Sequence, residues 1–251
     1  MFRNLKKTIK NLISPDLKFE LYTPVGKLEK LGSSYGGWII PVEYLNKKSI
    51  CYMVGAGEDI SFDFAVAKRF RCEVLIFDPT PRSKAHYELV VETSHLMNVP
   101  INNNPKEFYD LDRESLNRTR FYEIGLWKKT DHLKFFSPKN KRHISHSIAN
   151  LQNTDEYFVA PVKRLSEIMS ENNHHKLDLL KLDIEGAEFE VIDSIIEDNV
   201  NIKILCMEFH FMEKQGLQKI QLGIKKLEEN NFVVLARENF DFTFINKSYL
   251  H

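Results

Sequence analysis

The sequence predicts an α/β fold: a doubly wound, mostly parallel sheet with helices on both faces and an antiparallel strand near its end. Three observations lead there. From about residue 50 onward, short β-type runs alternate with helical patterns, the order that βαβ units produce. The strand candidates are nearly continuous in apolar residues, as strands covered on both faces are; "SICYMV" (49–54) is one. The chain has 251 residues, 43% hydrophobic and 28% charged, which is enough for one sizeable core and ordinary for a globular domain.

The elements follow in order. After "SICYMV" comes Gly55-Ala56-Gly57, then a helix over 59–70, with Asp59 or Ser61 as its cap and Ile60, Phe64 and Ala67 on one face. "CEVLIFD" (72–78) is a strand stopped by "PTP", and 82–98 reads as a helix. "NNNP" (102–105) is a loop signal. "RFYEIGLW" (120–127) is the next strand. The polar stretch 128–156, with a short alternating run "HLKFF" (132–136), reads as an insertion or lid. "YFVAPVKRL" (157–165) is β-like and "RLSEIMSEN" a short helix. "KLDLLKLD" (176–183) is a strand, and the helix at 186–198 carries Ala187, Val191, Ile192, Ile195 and Ile196 on one stripe. "NIKILCMEFHF" (201–211) is a strand, 217–230 a helix, and "FVVLARE" and "FDFTFIN" close the chain as a strand pair. Residues 49–251 thus form one domain, and 1–48 an N-terminal helical or loop extension.

Lys+Arg and Asp+Glu balance at 35 each, which argues against a general nucleic-acid binder. Cys51, Cys72 and Cys206 are isolated and form no CxxC pair, so they read as buried small hydrophobes in a reducing, cytoplasmic protein. No run of about 18 apolar residues is present to span a membrane. In the N-terminal "MFRNLKKTIKNLISPDL", Phe2, Leu5, Ile9, Leu12 and Ile13 share a helical face flanked by Arg3, Lys6, Lys7 and Lys10. That helix suits docking on the body, on a partner subunit of a homo-oligomer, or on an anionic membrane surface.

The first strand–turn–helix carries the first chemical signal. Gly55 and Gly57 let the backbone approach a ligand, and the helix start offers free N–H groups. Position 60 is Ile, so the turn is not the GxGxxG of dinucleotide binders, and no GxxxxGK[ST] phosphate loop exists. Glu58 and Asp59 make the turn acidic, which disfavours a pyrophosphate and favours a cationic ligand such as the sulfonium and ammonium of S-adenosylmethionine. Asp78, about 20 residues on, is placed to accept ribose hydroxyls. The plainer alternative is a tight turn with an exposed acid.

The second signal is "KLDIEGAEFEVI" (181–192), which follows an apolar run. In open α/β sheets ligands sit beyond the carboxyl ends of the strands. Asp183 lies at one such end, and Glu208 and His210 of "MEFHF" at another, two apart and therefore facing the same way. If those strands are neighbours, the three converge. Three readings stay open: proton transfer from a substrate hydroxyl; a site for a divalent cation such as Mg²⁺, Mn²⁺ or Fe²⁺; or a polar cleft whose acids cap helices. Glu185 either lines the cleft or caps the helix, and Glu188 and Glu190 read as helix-start acids. In the polar stretch, His143 and His146 beside Lys141 and Arg142 suit an anionic substrate or a solvated loop. His174 and His175 read as surface turn residues, and His86 and His95 as helix residues without function.

Together these motifs resemble the FkbM family of S-adenosylmethionine-dependent methyltransferases. The resemblance rests on "VGAGEDISFDFAVA" (54–67), "LIFDPTP" (75–81), "YEIGLW" (122–127), "LLKLDIEGAEFEVI" (179–192) and "CMEFH" (206–210), in that order, and spans about residues 33 to 245. It implies a class I, Rossmann-like methyltransferase fold, a seven-stranded sheet whose last strand is antiparallel. It also implies methyl transfer, usually to a hydroxyl, often on a sugar or surface glycan. By motif, Gly55, Ala56, Gly57 and Glu58 would line the methionine end of the cofactor, Asp78 the ribose, and Gly125, Leu126 and Trp127 the adenine. Asp183 would face the methyl-transfer site. Asp59 stands where the turn usually has its third glycine, and the upstream "GSSYGGW" (32–38) either reaches the cofactor or is a plain loop. The expectation is an O-methyltransferase acting on a sugar, nucleotide-activated or part of a bacterial capsular or other surface polysaccharide. Asp183, Glu208 and His210 activate the hydroxyl, with or without a metal. The rivals are an NAD-dependent oxidoreductase and a non-catalytic cofactor-binding module on the same fold.

Overall fold

In the structure, a computed structural model, residues 17–24, 26–96, 99–101, 104–136, 154–210 and 216–250 are described. The chain opens with a hairpin of β1 (Leu28–Leu31) and β2 (Trp38–Pro41). The alternating part begins with β3 (Ile50–Val54), α1 (Ser61–Phe70), β4 (Glu73–Phe77) and α2 (Pro81–Thr93). A small ribbon of β5 (Pro100–Ile101) and β6 (Asn104–Phe108) and a short α3 (Arg113–Asn117) lead into β7 (Thr119–Tyr122). Then come β8 (Gly125–Leu126), β9 (Asp131–Phe136), β10 (Tyr157–Lys163) and α4 (Leu165–Glu171). The rest is β11 (Leu177–Leu182), α5 (Glu188–Glu197), β12 (Ile202–Glu208), α6 (Gly216–Glu229), β13 (Phe232–Glu238) and β14 (Asp241–Asn246).

Seven strands form the main sheet in the order β13-β14-β12-β11-β3-β4-β7. All neighbouring pairs from β12 to β7 are parallel, and β14 runs antiparallel to both β12 and β13. The doubly wound, mostly parallel sheet and its single reversed strand are therefore present as expected. Strand pleating sends successive residues to opposite faces. Tyr52 and Val54 join the core under α4, α5 and α6, while Cys51 and Met53 join the core under α1 and α2. The chain leaves β3 toward β4 on one side and returns through β11 on the other. The crevice at the carboxyl ends of β3 and β11 is thus the topological switch point.

Several expectations are revised. The segment before residue 49 is no mere extension. Trp38 and Ile40 of the hairpin are buried in the core beside Phe62 and Phe64 of α1. Residues 17–24 run along the edge strand, where Tyr22 N–H donates to Val234 O at 2.7 Å, so they cover a backbone edge that would otherwise stay open. "RFYEIGLW" is two strands, because the chain turns at Glu123–Ile124, where Ile124 N–H donates to Tyr122 O. β7 stays in the main sheet, and β8 leaves it to pair with β10. "HLKFF" is part of β9, which pairs along its full length with β10 around Phe135, Ala160 and Val162; it is a packed strand. α2 ends at Thr93, earlier than residue 98, and Thr80 caps its start by accepting from Ser83 N–H. The segment 2–13, expected as a basic amphipathic helix, and the residues Lys141, Arg142, His143 and His146 lie outside the described residues. Cys51, Cys72 and Cys206 are free and buried. No helix among the described residues is long and apolar enough to cross a membrane.

Candidate active site at the carboxyl ends of the parallel strands

The two glycines of the turn do different work. Gly55 has φ +83, and a Cβ there would lie 1.7 Å from the carbonyl oxygen of Asp183, so this glycine is required by the close passage of the β11 end. Gly57 has φ +56, and a Cβ there would meet nothing within 4 Å among the described residues. Its open side is where a ligand can lie against the backbone.

Asp78 braces this turn. Its Oδ2 accepts from Ala56 N–H and Gly57 N–H at 2.9 and 3.1 Å, and its Oδ1 accepts from Thr80 N–H and Thr80 Oγ1 at 2.8 and 2.6 Å. A carboxylate offers about four lone-pair sites, and four donors occupy them. Asp78, expected to accept ribose hydroxyls, thus has its lone pairs engaged within its own turn. Glu58 is held by Arg82, whose Nη2 donates to Oε2 at 3.0 Å. Asp59 accepts from Ser33 Oγ at 2.6 Å and from Ser61 N–H at 3.1 Å, and Ser61 Oγ accepts from Ser33 N–H at 2.8 Å. The residue in place of a third glycine thus ties the 32–38 loop to the start of α1, which brings "GSSYGGW" against the turn. Gly125 and Leu126 are buried in β8, with Gly125 packed beside Pro79, and Trp127 follows them. Backbone pairing with β10 therefore places the segment next to the "DPTP" turn.

Opposite the glycines, β11 and β12 pair with Leu182 beside Met207, so the residues that follow them meet. Around His210 Nε2 stand Asp183 Oδ1 at 3.7 Å, Glu185 Oε2 at 3.6 Å and Glu208 Oε1 at 3.5 Å. The Nδ1–H of His210 donates to Glu188 Oε1 at 2.8 Å, and Gly186 N–H donates to the same oxygen at 3.0 Å. Glu188 opens α5 as a helix-start acid, as Glu190 also does in its first turn, but it is fully buried, and its Oε2 has no hydrogen-bond partner among the described residues. Glu185 enters the group through a left-handed backbone (φ 49), unusual for a residue with a side chain, followed by Gly186 at φ 100.

Two basic side chains sit among these acids. Lys181, fully enclosed, donates from Nζ to Gly55 O and lies 3.7 Å from Asp183 Oδ2. Burial works against its charge, but Asp183, Asp63, Glu208 and Asp78 more than offset that and leave its pKa raised. Burial also opposes charge on His210, yet the Glu188 hydrogen bond and the fields of Glu185, Asp183 and Glu208 hold it well above the ordinary histidine value. Glu208 is pushed up to about 8 by burial first and by Asp183 next, with His210 pulling the other way. Asp241, paired with Glu208 across β12 and β14, is pushed up to about 7, again by burial and then Asp183.

The structure thus brings together Asp183, Glu208 and His210, places Glu185 in the same group, the cleft-lining alternative for it, and adds Glu188, Asp241 and Lys181, with Asp63 acting on Lys181. Lys181 and Asp63 carried a legible sign: each is a charge inside an apolar strand or helix face. Asp241 had none, because only the reversed strand β14 brings it there. His174, expected on the surface, is half-buried and shares a hydrogen bond with Tyr52 Oη at 2.9 Å at the opposite end of the sheet.

A seven-stranded doubly wound domain with a glycine turn and a ring of acids at its switch point is of the α/β class. Residues 53–243 match the methyltransferase FkbM domain, and the chain belongs to that family. It is similar to a human protein described as probable methyltransferase-like protein 24, 27% identical over 168 residues, which cover 66% of this chain and 33% of that protein. The rat protein of the same description is 40% identical over 50 residues, 19% of this chain and 14% of that one. The chain thus spans about a third or less of the length of these relatives. Among solved structures, a fibrillarin pre-rRNA processing protein of Methanococcus jannaschii is similar at a TM-score of 0.40 and 11% identity, over 80% of this chain and 68% of that one. A human methyltransferase 10 domain containing protein is similar at 0.42 and 9% identity, over 98% and 97%.

Proposed function

We propose that the protein is an S-adenosylmethionine-dependent O-methyltransferase of the cytoplasm, and that its acceptor is a sugar hydroxyl on a nucleotide-activated sugar or a surface-polysaccharide component. The observation that carries this reading is the group of Asp183, Glu208 and His210 at the strand ends beside the glycine turn, in a chain of a methyltransferase family.

The residues suit the cofactor. The open face at Gly57 leaves room against the backbone, and the surplus of carboxylates over Lys181 and His210 favours a cationic group. Gly57 and Glu58 would hold the methionine end, the Asp78–Thr80 turn the ribose, and Leu126 and Trp127 the adenine. The cofactor supplies an electrophilic methyl on a sulfonium. The chain's part is to orient the acceptor hydroxyl in line and to take its proton. A carboxylate of the Asp183–Glu208–His210 ring would take the proton of the acceptor hydroxyl as its oxygen receives the methyl that the bound cofactor would supply. Positioning of this kind and a proton acceptor are the two general sources of rate here.

The deciding measurement is mass spectrometry of a panel of sugar-nucleotides and glycans incubated with the protein and the cofactor. A gain of one methylene that requires both protein and cofactor is expected. Calorimetry in parallel should show S-adenosylhomocysteine binding and no NAD binding. NAD binding without S-adenosylhomocysteine binding would overturn the assignment, and cofactor binding without turnover on any hydroxyl would leave a binding module.

A further inference from the structure

We propose that Asp183, Glu185 and His210 form a binding site for one divalent transition-metal ion, with Glu188 as the buried group that sets the histidine. One ligand atom from each of the three lies within 4.8 Å of the other two. The distances from His210 Nε2 to Asp183 Oδ1 and Glu185 Oε2, 3.7 and 3.6 Å, exceed those of a hydrogen bond. They approach the separation of two ligands on one cation, about 3.0–3.5 Å for bonds of about 2.1 Å in octahedral or tetrahedral geometry.

A second feature is independent of the acids around Nε2. Glu188 is fully buried, directs its carboxylate at the His210 ring and leaves Oε2 without a partner among the described residues. A ligating histidine is characteristically held through its other nitrogen by a carboxylate, which fixes the tautomer and makes the free nitrogen more basic. A fully buried glutamate that serves only as a helix-start acid has no reason to sit under an imidazole. One imidazole and two carboxylates suit Mn²⁺, Fe²⁺ or Zn²⁺ better than an all-oxygen ion such as Ca²⁺. Three protein ligands leave positions open for a substrate hydroxyl, which the ion would acidify. This last role rests on the methyl-transfer reading, whereas metal binding does not.

The full chain is treated with chelator and then titrated with Mn²⁺ and Co²⁺ by calorimetry, with visible spectra of the Co²⁺ form. One ion per chain and ligand-field bands of a nitrogen–oxygen site are expected. Glu185→Gly removes a ligand at a position whose left-handed backbone glycine prefers. It should weaken Mn²⁺ at least tenfold while melting stays level or rises. Glu188→Gln should weaken the ion about 10- to 100-fold, and Glu229→Gln on exposed α6 should leave it unchanged. Absence of stoichiometric Mn²⁺ and Co²⁺, or wild-type affinity in Glu185→Gly, overturns the proposal. S-adenosylhomocysteine binding is measured on the same samples: its retention without metal binding sinks the metal site alone, and metal binding without it sinks the cofactor assignment alone.

Discussion

At the level of single residues, the glycine turn shows how one motif divides its labour. Gly55→Ala would drive a Cβ into the Asp183 carbonyl, 1.7 Å away, so we expect a loss of about 3 kcal/mol or more in urea unfolding. Gly57→Ala meets no atom and carries only the left-handed backbone cost of about 1–2 kcal/mol. We expect it to fold and to bind S-adenosylhomocysteine more weakly, which calorimetry would show. Asp63 offers a pH test. Burial, opposed by Lys181, raises its folded pKa from 3.8 to about 6. The folded state therefore holds a proton that the unfolded state has released between about pH 4 and 6. That contribution is complete below pH 4 and lost as pH rises through 6. The shift of about two units corresponds to about 3 kcal/mol. Asp63→Asn removes the titration, so between pH 4 and pH 7 the variant should gain up to about 3 kcal/mol relative to wild type. Parallel unfolding curves at the two pH values would refute the assignment.

Among the elements, the β1–β2 hairpin is the instructive case. Its residues lie before the alternating region, where composition marks no boundary, yet Trp38 is buried against Phe62 with ring centroids 6.5 Å apart. Trp38→Ala should cost about 3–5 kcal/mol in chemical unfolding. A chain beginning at residue 49 should lose cooperative folding. Stability close to wild type in either protein would restore the hairpin to the status of an extension. The 120–127 run illustrates the opposite error. Its β-type residues are continuous, but the turn at Ile124 moves the chain from one sheet to another, and no pattern of side chains records that change of partner.

For the molecule as a whole, the switch point between β3 and β11 concentrates Asp183, Glu185, Glu188, Glu208 and Asp241 with two cations. A cationic cofactor bound there stabilises the folded state by mass action, about 2.7 kcal/mol at 100 times Kd. Thermal melts should rise with S-adenosylhomocysteine and stay level with NAD. Equal shifts for both ligands would contradict the charge argument, because NAD brings a pyrophosphate to an acidic turn.

The sequence by itself determined the alternation of strands and helices, the crevice at the carboxyl ends, the glycine turn, and the meeting of Asp183 with Glu208 and His210. All of these follow from local periodicity, from backbone demands at glycine, and from the single-helix crossover that makes β11 and β12 neighbours. Tertiary structure decided what depends on which surfaces meet. Lys181 is the cation inside the acidic strand end, Glu188 lies beneath His210, Asp78 spends its lone pairs on its own turn, and Asp241 arrives on the reversed strand. Periodicity names the face a residue occupies, but the partner across that face comes from strand order and register, which are set by the burial of the whole sheet.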